Sequence, residues 1–83
     1  MKKIKIAVVG LGYVGLSNSI LLAQKNTVTA VDIDIDKVNL INKRKSPLAD
    51  EQIDSFLKKE TLDLNASLPA NVIFKHSEIA LIS

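Results

Sequence analysis

Ile4-Lys5-Ile6-Ala7-Val8-Val9-Gly10-Leu11-Gly12-Tyr13-Val14-Gly15-Leu16-Ser17-Asn18-Ser19 decides the fold of this 83-residue chain. A short apolar run, suited to a strand buried on both faces, turns through three glycines into a helical pattern. At Gly10 the chain leaves the strand through a turn in which a Cβ would clash. At Gly12 the missing side chain lets a ligand approach the backbone, and at Gly15 it lets the helix lie close to the sheet.

The context that such a glycine triplet requires stands around it. Residues 28–31 form a second apolar run that ends in Asp32, 20 positions after Gly12. A carboxylate at that strand end accepts hydrogen bonds from a ribose diol, while the amides of the first helical turn, backed by the helix dipole, attract phosphates. Glycine spacing, flanking strands and distant carboxylate together point to a dinucleotide site. The bland alternative is a tight turn without a ligand, with Asp32 serving only as a helix N-cap.

Outward from this unit, residues 3–9 are expected as strand one. Residues 13–25 are expected as helix one, with Val14, Ile20, Leu21 and Ala23 available for packing. Asn26-Thr27 breaks the pattern before strand two at 28–31, which completes a βαβ unit with a right-handed crossover. Asp34 or Asp36 caps a second helix that turns Val38 and Ile41 inward, with Leu40 as a third candidate. Two carboxylates at a helix start complement its dipole, so capping is preferred to an acid–base pair. Lys43-Arg44-Lys45 closes that helix and Ser46-Pro47 breaks it. Asp50 caps a third helix with the apolar face Ile53, Phe56, Leu57. Residues 61–66 alternate, with Leu62 and Leu64 on one side, and suit a third strand; residues 65–69 lead into a loop. Two short apolar runs, 72–74 and 79–82, have no firm place. The fold class is α/β, part of a Rossmann-type doubly wound parallel sheet: the βαβ unit plus additional helices and strands.

Length sets a bound. Eighty-three residues make one small domain that buries little more than about 60% of its unfolded surface. A complete dinucleotide-binding domain, with two βαβαβ halves, is about one and a half to two times longer. The chain therefore reads as the N-terminal portion of one, short of the helices needed to cover both sheet faces.

Net charge is +2, from 11 basic and 9 acidic residues, concentrated in Lys2, Lys3, Lys5 and in Lys43, Arg44, Lys45. With 4% aromatic residues and no basic stripe, these clusters fit solvated element ends better than a nucleic-acid surface. No cysteine is present, which excludes disulfides, thiolate metal sites and cysteine nucleophiles from these residues and suits a reducing compartment. His76 is the single histidine; without partner ligands it reads as a surface residue, and no metal site is expected. Met1-Lys2-Lys3 before the uncharged residues 6–24 imitates a secretory leader or a membrane span. The glycines, Tyr13, Ser17, Asn18, Ser19 and Gln24 within that stretch argue against both, and a cytoplasmic protein without membrane or nucleic-acid partners is expected.

At Gly10-Leu11-Gly12-Tyr13-Val14-Gly15-Leu16-Ser17 the sequence resembles the UDP-glucose 6-dehydrogenases, within the wider UDP-glucose/GDP-mannose dehydrogenase family. Val31-Asp32-Ile33-Asp34, Lys37, Ser46-Pro47 with Asp50, Phe56-Leu57 and Asn65-Ala66-Ser67-Leu68 extend the likeness over residues 1–68. The resemblance implies an enzyme that oxidises C6 of UDP-glucose twice, passing a hydride to NAD each time. It implies that Gly10, Leu11, Gly12, Tyr13, Val14 and Gly15 hold the pyrophosphate, that Asp32 binds the adenosine ribose and that Lys37 lies close to it. The Asp32 carboxylate also favours NAD over NADP, whose 2′-phosphate it repels; Lys37 and the 43–45 cluster weaken that preference.

Residues 69–83 depart from the family order, in which a helix, a strand and a threonine-proline-threonine loop follow. The family's catalytic cysteine, its lysine, asparagine and aspartate partners and the UDP-sugar domain all lie beyond residue 83. The resemblance therefore implies a truncated piece, catalytically inactive alone, whose full-length parent is a homo-oligomer. A competing reading is a non-enzymatic NAD-sensing module of the kind that regulates potassium transporters. A third is a chain without activity, poorly soluble because its last strand leaves an open edge.

Overall fold

The computed structural model describes residues 3–59, 62–72 and 78–82. Its elements run β1 (Lys5–Val9), α1 (Tyr13–Ala23), β2 (Thr27–Val31), α2 (Ile35–Asn42), α3 (Glu51–Leu57), β3 (Leu64–Ser67) and β4 (Glu78–Ile82), with a 3-10 turn at Pro69–Asn71. The four strands form one sheet in the order β3-β2-β1-β4, and every pairing is parallel. Register runs from Lys5 opposite Thr27 to Val9 opposite Val31. On the other side of β1 it runs from Lys5 opposite Glu78 to Val9 opposite Ile82. Successive strands added to opposite sides of β1 are the mark of a doubly wound sheet.

Strand alternation sorts the side chains. Ile6 and Val8, Val28 and Ala30, Leu64 and Ala66 join the core with Leu16, Ile20 and Ala23 of α1, Val38 and Ile41 of α2, and Ile53 and Leu57 of α3. Among the described residues, α1, α2 and α3 thus cover one face. On the opposite face Lys5, Ala7, Thr27, Thr29, Asn65 and Ser67 line, with Asn71 and Val72, a hollow of about 300 Å³.

Several expectations shift. Val14 and Leu21, available for packing by their place in the sequence, are 65% and 66% exposed. Helix α1 is oriented by Leu16, Ile20 and Ala23, an i, i+4, i+7 row, and Val14 and Leu21 fall on the outer side. Phe56 is also partly exposed, with the Lys59 ammonium 4.3 Å from its ring centroid. Of the third strand expected at 61–66, residues 64–66 lie in β3 while Leu62 and Asp63 precede it, and Ser67, expected in the loop, is the strand's last residue. Residues 79–82, without a place in the sequence reading, form most of β4 beside β1. Ile73, Phe74 and His76, and the residues 60–61 expected to precede or open the third strand, lie outside the described residues.

Local polar contacts fix the connections. Asp34, one of the two expected caps, is the N-cap of α2 and accepts from the amides of Asp36 and Lys37. At the other end of α2, Arg44 takes φ 61° and Lys45 N donates to Leu40 O at 2.9 Å. This is the left-handed closure common at helix ends. Asn42 Nδ2 donates to Ala66 O at 3.0 Å and its Oδ1 accepts from Ala66 N at 2.8 Å.

Candidate functional site

The exit from β1 is drawn tightly against β2. Gly10 adopts φ 101°, a conformation that L side chains avoid, and its amide donates to Val31 O at 2.7 Å. The next amide, of Leu11, donates to Asp32 Oδ2 at 2.8 Å, and the Asp34 amide donates to Asp32 Oδ1 at 2.8 Å. The Leu11 side chain is fully buried and anchors the loop in the core. One carboxylate therefore organises both the glycine loop and the turn that leads into α2.

Gly12 follows as the N-cap of α1, with φ −73° and no side-chain cap. No acidic residue occupies the first turn. Leu16 N returns to Gly12 O at 2.9 Å, so the amides before it in the first turn have no acceptor within the helix. A Cβ placed on Gly12 would meet nothing within 4 Å. The glycine here leaves room outside the fold, whereas at Gly10 it satisfies the backbone. Gly15 is buried within α1, and Val14 is exposed on the outer side of the first turn.

Asp32 is half-buried. Partial burial pushes its carboxyl upward, but the amides of Asp34 and Leu11 and the charge of Lys37 outweigh that, and the group sits below the usual carboxylate range. It is ionised at neutral pH. A carboxylate has about four lone-pair sites, so two amide contacts leave acceptor capacity for further hydroxyls. Asp34, not Asp32, is the cap of α2, which frees Asp32 from the bland role considered for it.

The structure brings Gly10, Leu11, Gly12, Tyr13, Val14, Asp32 and Lys37 to the carboxyl ends of β1 and β2, while Gly15 is buried in the first turn of α1. Here the order reverses, because β4 joins β1 on the side away from β2, and open α/β sheets bind ligands at such a switch. One contact escaped the sequence reading. The Tyr13 hydroxyl donates to Asp50 Oδ2 at 2.8 Å, while Asp50 Oδ1 accepts from the amides of Gln52 and Ile53 at the start of α3. The sequence marks Asp50 as a cap but carries no signal that joins it to a residue 37 positions away.

Among the described residues no group of three His, Cys, Asp or Glu side chains could hold a metal. No described helix is long and apolar enough to cross a membrane.

Residues 4–83 match the profile of the UDP-glucose/GDP-mannose dehydrogenase family, NAD binding domain. The chain is 48% identical over 79 residues to the UDP-glucose 6-dehydrogenase of Streptococcus pneumoniae, covering 95% of this chain and 20% of that protein. It is 37% identical over 81 residues to the UDP-glucose 6-dehydrogenase of Campylobacter jejuni, covering 95% of this chain and 21% of that protein. The chain thus spans about a fifth of the length of these curated relatives. Among solved structures it is similar to a ternary complex of GDP-mannose dehydrogenase from Pseudomonas aeruginosa, with TM-score 0.68 and 32% identity over 75% of this chain and 15% of that one. A UDP-glucose dehydrogenase from Pyrobaculum islandicum shares the fold, with TM-score 0.71 at 20% identity over 80% of this chain and 16% of that one.

Proposed function

Because the chain belongs to the UDP-glucose/GDP-mannose dehydrogenase family and corresponds to its NAD-binding domain, we propose that it is the NAD-holding part of a UDP-glucose 6-dehydrogenase. The observation that carries this reading is the Leu11–Asp32 contact at 2.8 Å beside an uncapped helix start. It sets a phosphate-binding and a ribose-binding group side by side. The residues fit the cofactor: Gly12 leaves space outside the fold, and Asp32 retains acceptor capacity.

In this proposal the amides of the first turn of α1 hold the pyrophosphate, with Gly10 and Gly15 shaping the loop. Asp32 accepts the hydroxyls of the adenosine ribose, and its charge disfavours a 2′-phosphate. Lys37, in the first turn of α2, adds to the lowering of Asp32 by the Asp34 and Leu11 amides and lies close to the ribose. NAD, when bound, supplies the hydride acceptor for oxidation at C6 of UDP-glucose. These 83 residues contain no thiol, so the family's covalent step has no nucleophile among them.

Calorimetric titration of the chain with NAD and with NADP tests the reading. Asp32→Ala is expected to weaken NAD at least tenfold and to narrow the preference over NADP. Undiminished NAD affinity in that variant would remove Asp32 from the ribose site.

A further inference from the structure

We propose that Asp50 is a positioning residue for the nucleotide loop, its carboxylate holding the Tyr13 hydroxyl and so tying the start of α1 to the start of α3. The proposal rests on the NAD reading above and adds to it a residue outside the glycine loop and the strand end.

Among residues 10–15 only Tyr13 carries a polar side chain. It is the only residue of this stretch that can be held by a hydrogen bond through its own side chain, whereas Asp32 holds Leu11 through the backbone amide. The Tyr13 ring is 59% exposed, so it contributes little as buried surface; its directional contact is the hydroxyl at 2.8 Å from Asp50 Oδ2. A hydrogen bond to an ionised acceptor is stronger than one between neutral groups. The contact raises the Tyr13 phenol above its ordinary range. The Asp50 carboxyl is lowered by the Ile53 amide first and by Tyr13 next.

The anchor is itself held in place. Ile53 and Leu57 seat α3 in the core. Asp54 Oδ1 accepts from Ser46 N at 3.0 Å, and Ser46 Oγ donates to Leu48 O at 2.7 Å and accepts from Leu48 N at 3.0 Å. The Ser46-Pro47 turn therefore delivers Asp50 to a set position. Tyr13, the first residue of α1, is held at its hydroxyl from that point. Because the amides around Tyr13 are the proposed phosphate donors, Asp50 acts on the cofactor through Tyr13 without touching it.

Tyr13 is the only tyrosine and the chain has no tryptophan, so ultraviolet emission reports on Tyr13 alone, and a carboxylate bonded to a phenol quenches it. Asp50→Ser keeps an N-cap for α3 but is too short to hold the hydroxyl. It is expected to brighten Tyr13 emission and to weaken NAD by about three- to tenfold, the net worth of one solvent-exposed hydrogen bond. Tyr13→Phe is expected to match that loss, the double variant to be no weaker than either single one, and Asp50→Asn, which retains an acceptor, to recover part of the affinity. Losses that add in the double variant, or emission indifferent to Asp50, overturn the proposal while NAD binding stands. Emission that depends on Asp50 in a chain that binds no NAD overturns the cofactor reading instead.

Discussion

Asp32 Oδ2 accepts the Leu11 amide at 2.8 Å, joining the end of β2 to the middle of the glycine loop across 21 residues of sequence. The partner oxygen takes the Asp34 amide, so a single side chain sets the loop, the strand end and the entry to α2. The geometry of the candidate site and the integrity of the fold therefore meet in one ionised group.

Acid should weaken the fold through this carboxylate and three others. Asp63 is held low by the Thr27 hydroxyl and then by Lys3; Asp54 by Lys58 and then by the Ser46 amide. Asp32 and Asp50 are lowered as described. A carboxyl whose folded pKa lies below its unfolded value of about 3.9 contributes stability above that value, and the contribution disappears as pH falls through the folded pKa. Urea midpoints are expected to be level from pH 7 to pH 5 and to decline below about pH 4. Asp63→Asn should shallow that decline. A midpoint unchanged between pH 4 and pH 2 would contradict the assignment.

Gly10 and Gly12 should respond oppositely to alanine. At φ 101° a Cβ on residue 10 is strained, and Gly10→Ala is expected to cost about 1–2 kcal/mol in denaturant unfolding. Gly12 has an ordinary φ and open space about its Cβ position. Gly12→Ala should cost under about 1 kcal/mol, the difference between the two residues as N-caps, yet reduce NAD affinity more than tenfold. Equal stability losses in the two variants would argue against a ligand-facing role for Gly12.

The contrast between these glycines shows what the sequence conveys. The triplet, its two strands and Asp32 could be read because each serves a local geometric need at fixed spacing. The cap Asp50 was legible for the same reason, and the cap of α2 was narrowed to Asp34 or Asp36. The outward side of α1 was not, because Val14, Leu16, Ile20, Leu21 and Leu22 make that helix apolar nearly all round and periodicity cannot choose a face. Nor was β4, whose short apolar run acquires meaning only by pairing with β1. The Tyr13–Asp50 contact depends on how α3 is seated, which no local pattern encodes.

Asn42 should protect a sheet edge. Its amide both donates to and accepts from the backbone of Ala66, as a neighbouring strand would, and among the described residues β3 is an edge strand. Asn42→Ala leaves that donor and acceptor unpaired and should cost about 1–3 kcal/mol. It should also promote self-association, since an open edge recruits another strand. Sedimentation velocity of the variant across concentration checks this, and an unchanged monomer fraction would confine Asn42 to local stability.

Leu16 and Leu21 stand on opposite sides of α1, and substituting each measures which side the fold uses. Leu16 is fully buried beside Ile20 and Ala23 in the core; Leu16→Ala should cost about 2–5 kcal/mol, through lost transfer energy and the cavity left behind. Leu21 is 66% exposed, so Leu21→Gln should change stability by less than about 0.5 kcal/mol. With Tyr13 and Phe56 it borders the shallow groove between α1 and α3, where exposed apolar side chains lower solubility. The glutamine variant is therefore expected to remain soluble at higher concentration while unfolding at the same urea midpoint. A large stability loss in Leu21→Gln would mean that this side of α1 is covered in solution.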